Sequence, residues 1–296
     1  MNKTTPMAAT RSRLFGAQSM TGPLRSVFVR PPGAVSSATL EALGWSPAQS
    51  TTLRGEYLGF KRLLESLSIE VLEGAPAPDD NPDAIYCFDP LLLTREGSLL
   101  LDSGKDNRRA EATIMARELE TFGIPIFGSL GEPARADGGD LLWLTDKQLA
   151  VGLGWRTNAA AVARLKELLE PLGVEVLAFD LPNYRGSNAC LHLMSLVSLL
   201  DEHTALAWIP MLPVRLVLWF NDHEVELLNA PAWELETLGA NVLSIGERRL
   251  VAVEGNPETR SLLESQGFEV FTYEGEHLSL AGTGGPTCLT RPLWRG

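Results

Sequence analysis

One pattern recurs along the chain: an amphipathic helix, a turn residue that is often glycine, then a short β-branched run. It is visible as Glu56 to Leu67 followed by Ser68 to Leu72, and as Arg108 to Phe122 followed by Gly123 to Phe127. It returns as Asn158 to Leu172 with Gly173 to Leu177, and as Pro257 to Gln266 with Gly267 to Phe271. A weaker copy surrounds Gly239 to Leu243. Leu and Ala recur at three- and four-residue spacing before each stop, the stripe of a helix that covers a sheet.

Strand pairs with polar turns lie between these copies. The clearest is Leu141 to Leu144, turn Thr145 to Gln148, then Leu149 to Leu153; Val242 to Ile245 with Leu250 to Val253 repeats the plan. Tyr86 to Thr94 with Ser98 to Leu101, and Leu196 to Leu200 with Ala205 to Ile209, are two further pairs. The first strand is read at Ser26 to Arg30 and is stopped by Pro31 and Pro32. About five mixed ββαβ units at roughly 50-residue spacing fill the length, a period typical of radial or solenoid assembly. The pattern therefore predicts one closed α/β domain of about five blades over residues 25–296. A loosely held, aperiodic arm over residues 1–24 precedes it.

Composition narrows the field of functions. With 45% hydrophobic and 21% charged residues, disorder, collagen and coiled coil are excluded. A formal net charge of −12 repels phosphate backbones, and no stretch clusters Lys and Arg, so no nucleic-acid partner is expected. The longest apolar stretch, Thr204 to Phe220, is broken by Pro210, Pro213 and Arg215, so no membrane span is expected. Met1 to Arg13 lacks the apolar core of a secretory signal, which predicts a cytoplasmic protein. Cys87, Cys190 and Cys288 are too few and too scattered for a disulfide framework and have no zinc-ligand spacing.

Three places could carry chemistry. Asp137-Gly138-Gly139-Asp140 puts two carboxylates beside a flexible turn just before a strand, although Asp-Gly is also a common way to make a plain turn. His192, in an apolar approach to a strand, reads by itself more readily as a satisfied core or edge histidine than as a catalytic proton carrier. His203, His223 and His277 lie among charged turn-like residues and read as solvated. Cys288 follows the glycine-rich Gly282 to Gly285, where backbone can approach a ligand closely, whereas Cys87 and Cys190 have the apolar neighbours of inert thiols. A glycine-framed cysteine with a remote histidine is the usual layout of a thiol nucleophile and its acid/base partner.

In chain order, the Asp-Gly-Gly-Asp turn, the histidine and the C-terminal cysteine resemble the guanidino-group-modifying (pentein) superfamily, which holds dimethylarginine dimethylaminohydrolases, arginine deiminases and amidinotransferases. The resemblance runs from about residue 22 to the end and is strongest to the dimethylargininase branch. It includes Val29-Arg30-Pro31, Phe88-Asp89, Arg108 to Glu111, Val151 to Asn158 and His192 to Ser195. It implies a five-bladed α/β propeller, in agreement with the repeat count. It implies Cys288 as nucleophile, His192 as proton shuttle, and Asp137 as the carboxylate that orients His192 or the substrate. Asp89 would be a second carboxylate on the guanidinium. Arg108 and Arg156 would clamp a substrate carboxylate, and Asp83 would hold an α-amino group.

The implied reaction is hydrolysis of a non-peptide C–N bond in a small guanidino or ureido compound, with no metal or organic cofactor and dimethylarginine as the leading substrate. A homodimer is compatible with this reading. Three positions depart from the family pattern: Met194 replaces an Asp of the deiminases and amidinotransferases, and Phe88 and Thr283 replace acidic residues of the dimethylargininases. Met194 is expected to open apolar space for an alkylated nitrogen. Together the departures point toward a less charged or bulkier guanidine or a ureido compound. An amidinotransferase or arginine deiminase of the same superfamily, and a non-catalytic small-molecule-binding propeller, remain the alternatives.

Overall fold

The computed structural model describes residues 14–46, 48–186 and 191–296. Its unit is clearest around the middle of the chain, where β6 (Leu141–Thr145) turns through Asp146 and Lys147 into an antiparallel β7 (Gln148–Leu153). Asn158 then caps α4 (Ala159–Leu169), its side chain accepting from Ala161 N. Gly173, at a φ of 71°, ends the helical segment in the left-handed conformation that costs glycine least. The chain returns as β8 (Glu175–Asp180), parallel to β7. Ala161, Leu165 and Leu169 form the buried stripe of α4, as their spacing requires.

The same antiparallel pair, helix and parallel return build the other blades. Blade one holds β1 (Leu24–Val29), α1 (Ser37–Ala42), α2 (Ser50–Ser66) and β2 (Glu70–Glu73). Blade two holds β3 (Leu91–Thr94), β4 (Gly97–Leu100), α3 (Glu111–Thr121) and β5 (Ile126–Ser129). After blade three, α5 (Leu193–Leu196) leads into β9 (Val197–Leu199), β10 (Thr204–Ala207), α6 (Val214–Asp222) and β11 (Glu226–Asn229). Blade five is β12 (Leu243–Gly246), β13 (Arg249–Val253), α7 (Pro257–Ser265) and β14 (Glu269–Tyr273), and α8 (Pro286–Leu289) precedes the last strand, β15 (Arg291–Arg295). That strand pairs antiparallel with β1, so blade one is β15-β1-β2, assembled from both ends of the chain.

Burial orders the strands from the centre outward. The leading strands β3, β9 and β12 are buried at every position, as sheet covered on both faces must be. The trailing strands β2, β5 and β11 begin and end on exposed positions and lie outermost. Apolar clusters fill the seams between blades; one joins Phe28 of β1, Leu91 and Leu93 of β3, Met115 and Leu119 of α3 and Leu293 of β15. Among the described residues no helix is long and apolar enough to cross a membrane.

Two expectations are corrected. The helix of blade four is α6, which begins inside the apolar stretch Thr204 to Phe220 and runs to Asp222, and Gly239 to Leu243 instead leads into β12. Val214 and Leu218 of α6 are exposed, which blurs the polar face that marks a helix in sequence. The arm is not loose throughout: Gly16 N donates to Leu293 O at 2.8 Å, Arg295 N donates to Gly16 O at 3.1 Å, and Ala17 and Met20 are buried. Residues 1–13 and Cys190 lie outside the described residues.

Because Leu293 fills the seam between the first and second blades, Leu293→Ala is expected to destabilise the protein by about 2–5 kcal/mol. Leu218→Ala on the exposed face of α6 should cost under about 1 kcal/mol. Urea-unfolding midpoints of the two variants check both values.

Candidate active site

Each blade presents a polar side chain a few residues ahead of its leading strand. Asp89 precedes β3, Asp137 precedes β6, His192 precedes β9, Asn241 precedes β12 and Cys288 precedes β15. These positions converge because leading strands ring the centre of the fold. A cavity of about 720 Å³ opens there, lined by Asp83, Asp89, Arg108, Arg156, His192, Asn241 and Cys288 among others. Six of the seven residues expected from the sequence thus face one space. Asp137, fully buried, does not line it and stands behind His192.

His192 caps the short helix α5, and its Nε2 lies 3.1 Å from Asp137 Oδ2. Asp137 is held from three sides: Ser103 Oγ donates to Oδ1 at 2.6 Å, Gly104 N to Oδ1 at 3.1 Å, and Arg156 Nη1 to Oδ2 at 2.8 Å. Burial by itself would raise its pKa, but the hydrogen bond and charge of His192, with Arg108 and Arg156, hold it well below the usual carboxylate range. An anion beside Nε2 fixes which way the imidazole faces.

The double glycine of the Asp-Gly-Gly-Asp turn is a packing requirement. A Cβ on Gly139 would sit 2.4 Å from His192 Nδ1, so only a glycine lets the ring approach. Gly139 N donates to Asp89 Oδ1 at 2.9 Å, and Asp89 Oδ1 lies 4.0 Å from His192 Nδ1. The closing residue, Asp140, accepts from Leu193 N at 2.9 Å and from Thr157 Oγ1 at 2.7 Å, which pins the backbone next to His192. Burial pushes Asp140 up to about 6, against the opposing pull of His192 and these two hydrogen bonds.

Cys288 sits in α8, and Asn241 Nδ2 donates to its Sγ at 3.4 Å. Asn241 Oδ1 accepts from Thr287 N at 3.3 Å, and a Cβ on Gly285 would lie 2.5 Å from that oxygen. Phe88 N donates to Cys288 O at 3.1 Å, tying the thiol segment to the Asp89 segment. Burial first, then the Asp89 charge, pushes the thiol up to about 11, although His192, Asn241 and the Gly285 amide pull the other way. Cys87 is fully buried and also raised, to about 12, as expected of an inert thiol.

Arg108 is not placed as a clamp for a substrate carboxylate. Its Nη1 donates to Asp89 Oδ2 at 2.6 Å, its Nε and Nη2 to Glu111 at 2.9 and 2.8 Å, and Nη2 also to Asp83 O and Tyr86 O at 3.2 Å. Two buried carboxylates need a buried cation between them, and Arg108 supplies it. Arg156 is spent in part on Asp137, while Asp83 bonds Trp45 Nε1 and the Lys105 ammonium. Met194 packs in the core and does not line the cavity, so it opens no room for an alkyl group. Phe88 lies under Arg291, whose guanidinium carbon is 3.6 Å from the ring centroid, and Thr283 lines the cavity. His203 and His223 are exposed as expected; His277 is half-buried, and its Nδ1 accepts from Gln49 N at 3.3 Å.

No role was assigned from the sequence to Asn241, Lys105, Ser103 or Glu111, the last noted only as part of the Arg108 to Glu111 stretch. Asn241 had a positional signal, since it stands ahead of a leading strand as the other four do. Glu111 had a spacing signal, three residues beyond Arg108 at the start of a helix.

Comparison with known proteins agrees with this frame. The family model for arginine deiminase matches residues 219–295. A dimethylarginine dimethylaminohydrolase of Streptomyces coelicolor is 34% identical over 222 residues, covering 75% of this chain and 78% of that protein. An arginine deiminase of Listeria monocytogenes is 27% identical over 259 residues, covering 73% of this chain and 62% of that protein. A dimethylarginine dimethylaminohydrolase variant from Pseudomonas aeruginosa, complexed with citrulline, superposes with a TM-score of 0.75 at 20% identity, covering 92% of this chain and all of that one. An amidinotransferase of saxitoxin biosynthesis from Microseira wollei gives 0.73 at 16% identity, covering 95% of this chain and 97% of that one.

A ring of five ββαβ-type sheets and these relatives together define an enzyme that hydrolyses or transfers guanidino groups. The chain belongs to the guanidino-group-modifying (pentein) superfamily, alongside its dimethylarginine dimethylaminohydrolase-like, arginine deiminase and amidinotransferase relatives.

Two measurements probe the electrostatics. Asp89→Asn removes a charge that raises the Cys288 pKa, so alkylation of Cys288 at pH 8 should quicken by about tenfold, read by peptide mass spectrometry. Asp140, near 6 when folded and near 4 when unfolded, holds a proton in the native state that the unfolded chain has lost between those values. Its contribution turns against folding as pH rises from about 4 to 6, by up to roughly 3 kcal/mol. The stability difference between Asp140→Asn and the parent should shift in favour of the variant across that window, measured by urea unfolding at each pH.

Proposed function

We propose that the protein is a covalent amidine hydrolase that removes ammonia or an alkylamine from a guanidine, with its reacting end organised as in a dimethylarginine dimethylaminohydrolase. The observation that carries the reading is the shared cavity: the Cys288 sulfur, the His192 imidazole and the Asp89 carboxylate line it together, with Asp137 behind the imidazole. Because every blade contributes, residues 25–296 act as one catalytic unit.

Asp89 receives the flat, cationic guanidinium, whose N–H donors suit a carboxylate. Burial is the larger cause of the raised thiol pKa, but arrival of that positive charge offsets the Asp89 contribution and favours thiolate beside its electrophile. His192 takes the thiol proton as Sγ bonds to the central carbon. The same proton passes to the departing nitrogen, the C–N bond breaks, and a thiouronium remains on Cys288. Water then gives its proton to His192 and adds its oxygen to the carbon. The C–S bond breaks, the sulfur recovers the proton from His192, and a ureido product leaves after its second water-derived proton passes to the freed amine or to solvent. Asp137 keeps the imidazole oriented through both half-reactions, and Arg108 holds Asp89 in place.

A panel of guanidines, including arginine, agmatine and methylated arginines, is expected to yield ammonia or amine with the parent protein. Cys288→Ser should lower kcat by at least about a thousandfold. Intact mass of protein quenched during turnover should show an adduct on Cys288. Binding by calorimetry without turnover would make the protein a binding module. Turnover that requires an added amine and yields a new guanidine would make it an amidinotransferase.

A further inference from the structure

The wall of the cavity away from the sulfur carries an internal ion pair. Asp83 is buried, and Trp45 Nε1 donates to its Oδ1 at 2.9 Å while the Lys105 ammonium rests on Oδ2. Trp45 is itself buried and stacked on Tyr86, ring centroids 5.8 Å apart, so this indole donor is fixed. Burial alone would raise the Asp83 pKa, but the charge of Arg108, with Lys105 and Trp45, lowers it, so the carboxylate is anionic and already served by cations. The side chain of Lys105 is about a third exposed, and it lines the cavity. Gly104 packs directly on the backbone of Arg156, where a Cβ would lie 2.7 Å from Arg156 Cα. Lys105 and Arg156 are therefore neighbours on one wall.

An amino-acid substrate needs an anion for its α-ammonium and a cation for its α-carboxylate. Here the anion that would take the ammonium holds a lysine of the chain instead. A second ammonium would have to displace Lys105 or add a further positive charge beside Lys105 and Arg108. The Lys105 ammonium has three donors and Asp83 takes one, which leaves the group able to receive a carboxylate. We infer that Lys105 occupies the ammonium position of the substrate tail, so that the preferred substrates are ω-guanidino carboxylic acids without an α-amino group, their carboxylate received by Lys105 and Arg156. This inference rests on the proposed reaction at the other end of the cavity.

The test uses compounds that differ only in the tail: δ-guanidinovalerate, which is arginine without its α-amino group, L-arginine, and agmatine, which lacks the carboxylate. Calorimetric binding is measured on Cys288→Ser and turnover on the parent protein. The valerate is expected to bind at least about tenfold more tightly than L-arginine, with agmatine weakest. Lys105→Met in the Cys288→Ser protein should bring the valerate-to-arginine ratio to about one or below, because it frees Asp83 and removes a carboxylate receptor. Lys105→Gln serves if the Met variant melts early, with the same expectation. Equal or stronger binding of arginine by Cys288→Ser, no binding of any of the three, or an equal loss for both acids in the Lys105 variants would overturn the inference. The expected binding order without any turnover sinks the hydrolase reading and leaves this one standing; efficient turnover that favours arginine does the reverse.

Discussion

Closure of the ring by β15 against β1 is the constraint from which both the frame and the site follow. Cys288 lies just ahead of β15, and the Asp89 segment lies just ahead of β3, so the two meet only if the last strand docks beside the first. The seam is secured from several directions. Phe88 N reaches Cys288 O, Arg291 Nη1 donates to Leu91 O at 2.5 Å, and Leu293 is buried against blade two. Even the segment around Gly16 adds hydrogen bonds along the edge of β15. Hydrogen bonds and apolar contact of this kind are individually small, yet here they hold together residues about two hundred positions apart.

Around the cavity the chain solves a second problem, that of giving several buried carboxylates partners. Asp89 and Glu111 share Arg108, Asp137 takes Arg156 and His192, and Asp83 takes Lys105. Every one of these anions meets a cation, with Arg108 serving two of them, so a cationic substrate meets a carboxylate whose direction is already set. Asp140 stands apart, since backbone and hydroxyl donors are its hydrogen-bond partners and burial pulls it toward the neutral form.

Much of this was legible in the residues, for identifiable reasons. Helices α2, α3, α4 and α7 carry one apolar stripe each, and the hairpin β6–β7 carries a polar turn, so periodicity found them. Helix α6 was hidden because its exposed face also bears Val214 and Leu218, and β15 because a five-residue strand containing Pro292 has no period to read. In the site, Asp137, His192 and Cys288 were recognisable from their local setting. The engagement of Arg108 with two carboxylates and of Lys105 with Asp83 was not, because such partnerships depend on which loops meet in space.

The placement of one polar residue ahead of each leading strand has a consequence for how such proteins change. Reagents that never meet along the chain are mounted at the same address of five repeated units, each on a short connection just ahead of a leading strand. Rewriting a single connector therefore alters one participant directly and reaches its companions through the few contacts, such as Gly139 N to Asp89 and Phe88 N to Cys288 O, that join neighbouring connectors. Chemical diversification of this architecture can proceed one spoke at a time, and loop exchange between relatives offers the same route to an engineer.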